Sequence, residues 1–299
     1  MCAATRHIQP ATLHCNVATL NPVHGQGSEP SELGGVSAIA RRRDKSSSPV
    51  SKACMATVPQ SPAECPNLLL SMLPEDDYRQ LLPFLERVET PLHFLLFERD
   101  QPIREAYFPL VGEHSILASM QNGAAVEVGT VGYEGFSTVD LLMGSDTAIE
   151  TTVCQIPGEA LRMPAPRFKE FTAADTPLRR ITLRYLQSYL SQVSQAAACN
   201  RLHAVEQRLA KWLLMSHDRM RQPEFSLTQE YLAAMLGVQR PTVSLAASSL
   251  QRAGLIVYSR GKVTILDRAG LEASSCECYR VVRGHFARFL GTDFRLDFH

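Results

Sequence analysis

Three cations in the last third of this 299-residue sequence are spaced to meet one anionic partner. Arg240 begins a helical pattern, and Arg260 and Lys262 flank Gly261 in a tight turn. A guanidinium in the first turn of an exposed helix offers two donors that match O6 and N7 of guanine. Cations at a turn tip meet phosphate oxygens without reading sequence. Gln239, Thr242 and Ser248 carry polar groups suited to phosphate contacts, and Arg240, Pro241, Ser244, Leu245 and Ser248 share the helix's outward face. Leu245 can meet a thymine methyl. Cys276-Glu277-Cys278 is a C-x-C with no second ligand pair near it, and His203, His217 and His285 form no spaced set, so neither a metal nor a cofactor is expected. The sequence shows no nucleophile–base pair and no glycine-rich phosphate loop, so an enzyme is not expected.

The stretch that must position these cations is F-S-L-T-Q-E-Y-L-A-A-M-L-G-V-Q-R-P-T-V-S-L-A-A-S-S-L-Q-R-A-G-L-I, residues 225–256. Thr228 caps a short helix, 229–236, by accepting from its orphan amides. Ala233 is small where two helices must cross. Gly237 falls where the chain reverses, where a positive φ suits glycine best, and Val238 plugs the turn. Gln239 sits at the cap of a second helix, and Pro241 fits its first turn, where no amide is missed. Val243, Ala246, Ala247 and Leu250 form the buried stripe of that helix. These are the spacings of a helix-turn-helix. Gly254 ends the second helix. Residues 255–258 and 263–266 then read as strands joined by Ser259-Arg260-Gly261-Lys262, a basic wing.

Upstream, 201–220 is predicted as an amphipathic helix with Leu202, Val205, Leu209, Trp212 and Leu213 on one face. Before it, Asp175-Thr176-Pro177 opens a long helix. Its Leu183, Leu186, Leu190, Val193 and Ala197 recur at spacings of 3, 4, 3 and 4, an a/d seam. A dimer interface is the favoured reading of that seam, with packing on its own domain the alternative.

From Thr90 to Met163 short apolar stretches alternate with turn signals, the pattern of a small β-barrel or β-roll. Turns are predicted at Val111-Gly112-Glu113, Asn122-Gly123 and Pro157-Gly158, with Asn122-Gly123 the strongest hairpin signal. Residues 66–88 read as helical, with Asp76 or Asp77 as a cap, and 164–171 as a short helix. Residues 1–65 are rich in Ser, Pro, Gly, Ala and Thr and read as disordered. A basic cluster, Arg41 to Arg43 with Lys45, lies within them, and Met55 stands just before the first folded pattern, so residues 1–54 are expected to be either a start-codon misassignment or a dispensable extension.

Net charge is zero, but its distribution is uneven. Asn200–Arg283 holds 12 Lys and Arg against 7 Asp and Glu, whereas Pro66–Cys199 holds 10 against 17. A basic segment joined to an acidic one suits a nucleic-acid module carried by another domain. No stretch approaches the roughly 18 to 20 apolar residues of a membrane span. The start of the chain lacks a secretory signal, so the cytoplasm is expected and the scattered cysteines are read as free thiols.

In this order of elements the chain resembles the Crp–Fnr superfamily of bacterial transcription regulators over residues 66–283. The segments L-T-Q-E, G-L-I and R-G-K-V-T-I carry the likeness most specifically, and V-G-T-V-G-Y-E-G-F and P-G-E-A-L-R-M-P less so. The resemblance implies an α+β fold. It would have a disordered tail (1–65), a cyclic-nucleotide-binding-like β-roll sensor domain (66–175) and a dimerisation helix (176–199). A hinge near Cys199-Asn200 would lead to a winged helix-turn-helix (200–283) and a C-terminal tail (284–299). It implies a homodimer on double-stranded DNA, with RNA polymerase as a further partner. The DNA-contacting set is then Thr228, Gln239, Arg240, Pro241, Thr242, Ser244, Leu245, Ser248, Arg260 and Lys262. The alternative is an effector sensor whose helix-turn-helix makes protein contacts.

Three departures matter. Relatives read DNA with an Arg, a Glu and a second Arg; here these positions hold Arg240, Pro241 and Leu245. Relatives that bind cyclic nucleotides use a Glu and an Arg; here Ser137 and Thr147 fall at or near those positions, and no Lys or Arg lies between Ser137 and Thr152. A buried phosphate needs such a cation or a nest of donors, so a signal other than cyclic AMP is expected. The spacing of Cys54 and Cys65, with Cys2 and Cys15 in the tail, does not resemble iron–sulfur ligation.

Overall fold

The computed structural model describes residues 57–121, 124–220 and 222–291. The expectations for Cys2, Cys15, Cys54, Met55, the Arg41–Lys45 cluster and the Asn122-Gly123 turn lie outside the described residues, as do 292–299.

The fold is mixed α and β. It opens with short helices α1 (Leu68–Ser71) and α2 (Glu75–Leu81), within the segment read as helical. Pro74 occupies the cap of α2, so Asp76 and Asp77 lie inside its first turn rather than at the cap. Five antiparallel strands follow: β1 (Glu86–Thr90), β2 (Leu95–Phe97), β3 (Glu105–Ser119), β4 (Ala125–Val131) and β5 (Thr151–Pro164). Their order is β1-β5-β3-β4, with β2 also on β5. A short helix, α3 (Val139–Leu142), bridges β4 to β5.

Two predicted turns prove to be bulges. Val111-Gly112-Glu113 and Pro157-Gly158 lie within β3 and β5, which run unbroken but slip register between Pro109 and His114. Gly112 takes φ 94°, and a Cβ on Gly158 would fall 2.0 Å from the Val111 carbonyl oxygen. The two glycines let the long strands bend across each other where any side chain would collide. The sequence marks a break in extended structure there; the fold uses it as a bend.

Helices α4 (Ala165–Ala173) and α5 (Pro177–Leu202) close the sheet. The Thr176 side chain caps α5 by accepting from Arg179 N. Phe108, Phe136, Phe168 and Tyr185 form the aromatic centre of the first core. This core also reaches into the expected N-terminal tail: Val58 packs on it, Cys65 is buried in it, and Tyr78 Oη donates to the Pro59 carbonyl at 2.9 Å. The folded region therefore begins before residue 66.

After α5 come α6 (Val205–Met220), β6 (Glu224–Ser226), α7 (Gln229–Leu236), α8 (Arg240–Arg252), β7 (Ile256–Ser259), β8 (Lys262–Ile265), α9 (Arg268–Ser274) and α10 (Cys278–Leu290). The α5–α6 break is at His203-Ala204, later than expected, because α5 continues through Leu202. Leu202 belongs to α5 and is exposed rather than facing the second core. Residues 284–290, expected as tail, complete α10. Its Val282, Phe286 and Leu290 pack with Tyr185 and Tyr189 of α5 in the first core. Among the described residues, no helix is long and apolar enough to cross a membrane.

Gly158→Ala should lower stability by about 1–3 kcal/mol through overpacking. Gly284→Ala, in α10 with nothing within 4 Å of the added carbon, should raise it by about 0.5–1 kcal/mol. Urea midpoints at unchanged slope read both; a neutral Gly158 variant would contradict the crossing.

Candidate nucleic-acid interface

The two helices meet as their residues dictate. Thr228 Oγ1 accepts from Tyr231 N at 3.2 Å, capping α7. Gly237 ends α7 at φ 60° in the left-handed region, and Val238 N donates to the Ala233 carbonyl at 3.0 Å. Gln239 takes the extended cap conformation of α8, without a side-chain capping bond, and Pro241 follows in the first turn. Val243, Ala246, Ala247 and Leu250 are buried with Leu209, Trp212 and Leu213 of α6 in the second core.

The opposite face of α8 is open. Gln239, Arg240, Pro241 and Thr242 are exposed, and Leu245 is 73% exposed. Ser244 and Ser248 are half-buried, and Ser244 Oγ donates to Gln229 Oε1 at 2.9 Å. Thr228 is exposed, but its hydroxyl oxygen is engaged in the cap. The wing turn has both central residues at positive φ, Arg260 at 50° and Gly261 at 75°, the geometry of a two-residue hairpin. Arg260 and Arg240 line one groove of about 410 Å³ with Thr228, Gln229, Glu230 and Tyr258. Two of the cations are already paired: Arg240 Nη1 lies 2.8 Å from Glu230, and Lys262 Nζ lies 2.7 Å from Glu224. Both pairs are largely exposed, so each is weak and exchangeable.

Buried polar contacts fix this module on the β-sheet. Arg219, near the end of α6, is buried against Glu113 and Glu134, with its Nε 2.9 Å from Glu134 Oε1. It also donates to the Thr130 hydroxyl and carbonyl and, at 3.4 Å, to Gln192 of α5. Ser216 Oγ donates to Glu113 at 2.7 Å. Burial opposes the charge on Arg219, but Glu134 and Glu113 hold it protonated, its pKa raised. Burial pushes the Glu113 carboxyl up against the pull of Arg219. Trp212 Nε1 donates to Glu127 at 3.0 Å and Ser115 Oγ donates to the same carboxylate at 2.5 Å. Tyr231 Oη donates to Gln155 at 3.1 Å.

The predicted seam on α5 divides. Leu183, Leu190 and Ala197 are exposed, whereas Leu186 and Val193 are half-buried against the first core. Ser137 and Thr147 stand in different surroundings. Ser137 is buried with its hydroxyl 2.7 Å from His114 Nδ1, and Thr147 is exposed. Cys276 and Cys278, read in sequence as having no second ligand pair nearby, lie beside Cys199 and His203 at the end of α5. These two stand four residues apart on a helix, hence on one face, a signal that was legible once the helix was known to extend past residue 199.

Residues 207–274, most of α6 through α9, match the family model described as a Crp-like helix-turn-helix domain. That segment is similar to a Crp-like helix-turn-helix domain, and the fold of the whole chain is shared with solved structures. FixK2 from Bradyrhizobium japonicum superposes with a TM-score of 0.56 at 13% identity, covering 64% of this chain and 98% of its own. A putative transcriptional regulator of the Crp/Fnr family from Eubacterium rectale gives 0.55 at 19% identity, covering 69% and 96%. A Crp/Fnr-family regulator from Thermus thermophilus gives 0.52 at 22%, covering 64% and 98%. None of the curated protein sequences matches the chain.

The contacts that seat the helix-turn-helix on the sheet have a pH signature. Burial, with Glu113 adding, pushes the Glu127 carboxyl up to about 8 from an ordinary 4.5. Between those values the folded chain holds a proton that the unfolded chain has lost, so stability falls as pH rises and levels off above about 8. Burial lowers His114 to about 3 and His217 to about 4, which gives the opposite slope below 6.5 and none above it. From pH 6.5 to 8, Glu127→Gln should therefore remove a loss of up to about 1.4 kcal/mol per pH unit. Denaturant midpoints across that window test this; parallel curves for the two proteins would contradict it.

Proposed function

We propose that this protein is a homodimeric, sequence-specific DNA-binding transcription regulator of the cytoplasm, answering a signal other than cyclic AMP. The carrying observation is the first turn of α8. It presents Arg240 to solvent beside Arg260 of the wing, on the side of the helix away from its buried stripe. A helix so presented enters a major groove by its N-terminal residues, and the wing lies along a phosphate strand. Arg240 leaves Glu230 for a guanine edge, a trade that an exposed pair permits. Pro241 and Leu245, where relatives carry Glu and Arg, give a half-site unlike theirs, with Leu245 against a thymine methyl.

The exposed Leu183, Leu190 and Ala197 of α5 supply the apolar stripe that a second α5 would cover. Two copies so joined offer two recognition helices to successive major grooves, and RNA polymerase is the further partner of such a complex. Ser137 is spent on His114 inside the core and no Lys or Arg lies between Ser137 and Thr152, which supports a different signal. The competing reading, an effector sensor that uses this face for protein contacts, draws on the same exposed Leu245. Salt separates the two, because only polyanion binding releases condensed counterions.

Arg240→Ala should weaken binding to a preferred duplex by about 1–3 kcal/mol and relax preference at one guanine per half-site. Arg260→Ala should weaken all duplexes alike and reduce the salt slope by about one. Fluorescence anisotropy at several salt concentrations measures both. Binding that ignores salt and both substitutions would overturn the proposal in favour of protein contacts.

A further inference from the structure

The hinge between α5 and α6 holds a cluster that DNA binding does not use. Cys199 and His203 close α5, and Cys276 and Cys278 lie at and just after the turn from α9 to α10. One ligand atom from each residue lies within 4.8 Å of all the others. The three thiols are buried and form a small cluster separate from both apolar cores. We propose that Cys199, His203, Cys276 and Cys278 form a four-ligand site for a single divalent metal of the zinc class.

The distances fit that ion. Tetrahedral zinc, with Zn–S of about 2.3 Å and Zn–N of about 2.0 Å, sets sulfur–sulfur edges near ~3.8 Å and sulfur–nitrogen edges near ~3.5 Å. Here Cys199 Sγ and Cys276 Sγ are 3.6 Å apart, and Cys278 Sγ and His203 Nδ1 are 3.4 Å apart. A set this compact surrounds one ion; the outer sulfurs of a polynuclear iron–sulfur cluster lie farther apart. Four protein ligands leave no open position, which makes the site structural rather than catalytic.

The outer groups are also in place. His203 points Nδ1 into the cluster and Nε2 at Glu277, 3.2 Å away. A carboxylate on the far nitrogen fixes a ligating imidazole in the required tautomer. Gln195 Nε2 donates to Cys278 Sγ at 3.1 Å. Binding displaces three thiol protons to solvent and requires no oxidant or reductant. The bound ion ties the end of α5 to the start of α10, which itself packs back on α5 through Val282 and Phe286. It thereby holds the segment from which the helix-turn-helix departs.

The test uses the untagged, reduced full chain, read by elemental analysis without DNA, so its outcome is independent of the regulator reading. About one zinc per chain is expected. Chelated protein should take up one cobalt(II) with the sulfur-to-metal and ligand-field absorption of a tetrahedral thiolate site. Cys276→Ser and Cys278→Ser should each lose most of the metal, whereas Cys65→Ser, a buried thiol elsewhere, should keep it. Glu277→Gln should keep the stoichiometry and weaken affinity on the order of tenfold. Because a serine substitution can also lose metal by unfolding the chain, the cobalt spectrum of the wild-type protein stands as the independent criterion. Metal-free protein that takes up no cobalt, a spectrum without sulfur-to-metal bands, or a Cys199–Cys276 disulfide in place of metal would overturn the proposal.

Discussion

One guanidinium governs how the parts of this molecule are placed. Arg219 leaves α6 and ends among Glu113, Glu134 and Thr130 of the β-domain and Gln192 of α5, with water excluded. In such a place a charge is tolerable only while its partners stay in position. Removing one partner of a buried pair typically costs about 3–5 kcal/mol, because the other is left uncompensated. The network therefore holds the helix-turn-helix on the sheet as a unit, because losing any one of these partners leaves the others buried and uncompensated.

Much of this was legible from residue spacing, and the helix-turn-helix most fully. Its cap at Thr228, its left-handed Gly237 and the stripe of Val243, Ala247 and Leu250 are local features that hold whatever surrounds them. The β-domain was legible in kind but not in detail. Gly112 and Gly158 signal an interruption of extended structure, and a bend within a strand uses the same residue as a turn between two. Which one forms depends on the partner strand, which is distant in sequence. The second half of helix α10 was missed for a related reason: its apolar residues make sense only against Tyr185 and Tyr189 of α5.

The site residues show the same division. Arg240, Pro241 and Leu245 emerged as an exposed face because a helix fixes its own periodicity. The pairing of Arg240 with Glu230 and of Lys262 with Glu224 did not emerge, since each joins two elements. Arg219, Glu113 and Glu134 read in sequence as ordinary solvated charges, and only the packing of three elements shows that they are buried. The cysteines are the extreme case: a C-x-C and an i, i+4 Cys–His pair lie far apart in the chain and converge where α10 folds back on α5.

The proposed regulator sets two copies of α8 on one duplex through symmetric faces. Selection of binding sequences from a random duplex pool by the full-length protein tests this most directly. The expected result is an enriched, two-fold symmetric site whose half-sites each contain a guanine and whose centres lie about 34 Å apart, one turn of the double helix. An enriched site with no symmetry, or no enrichment at low ionic strength, would contradict it.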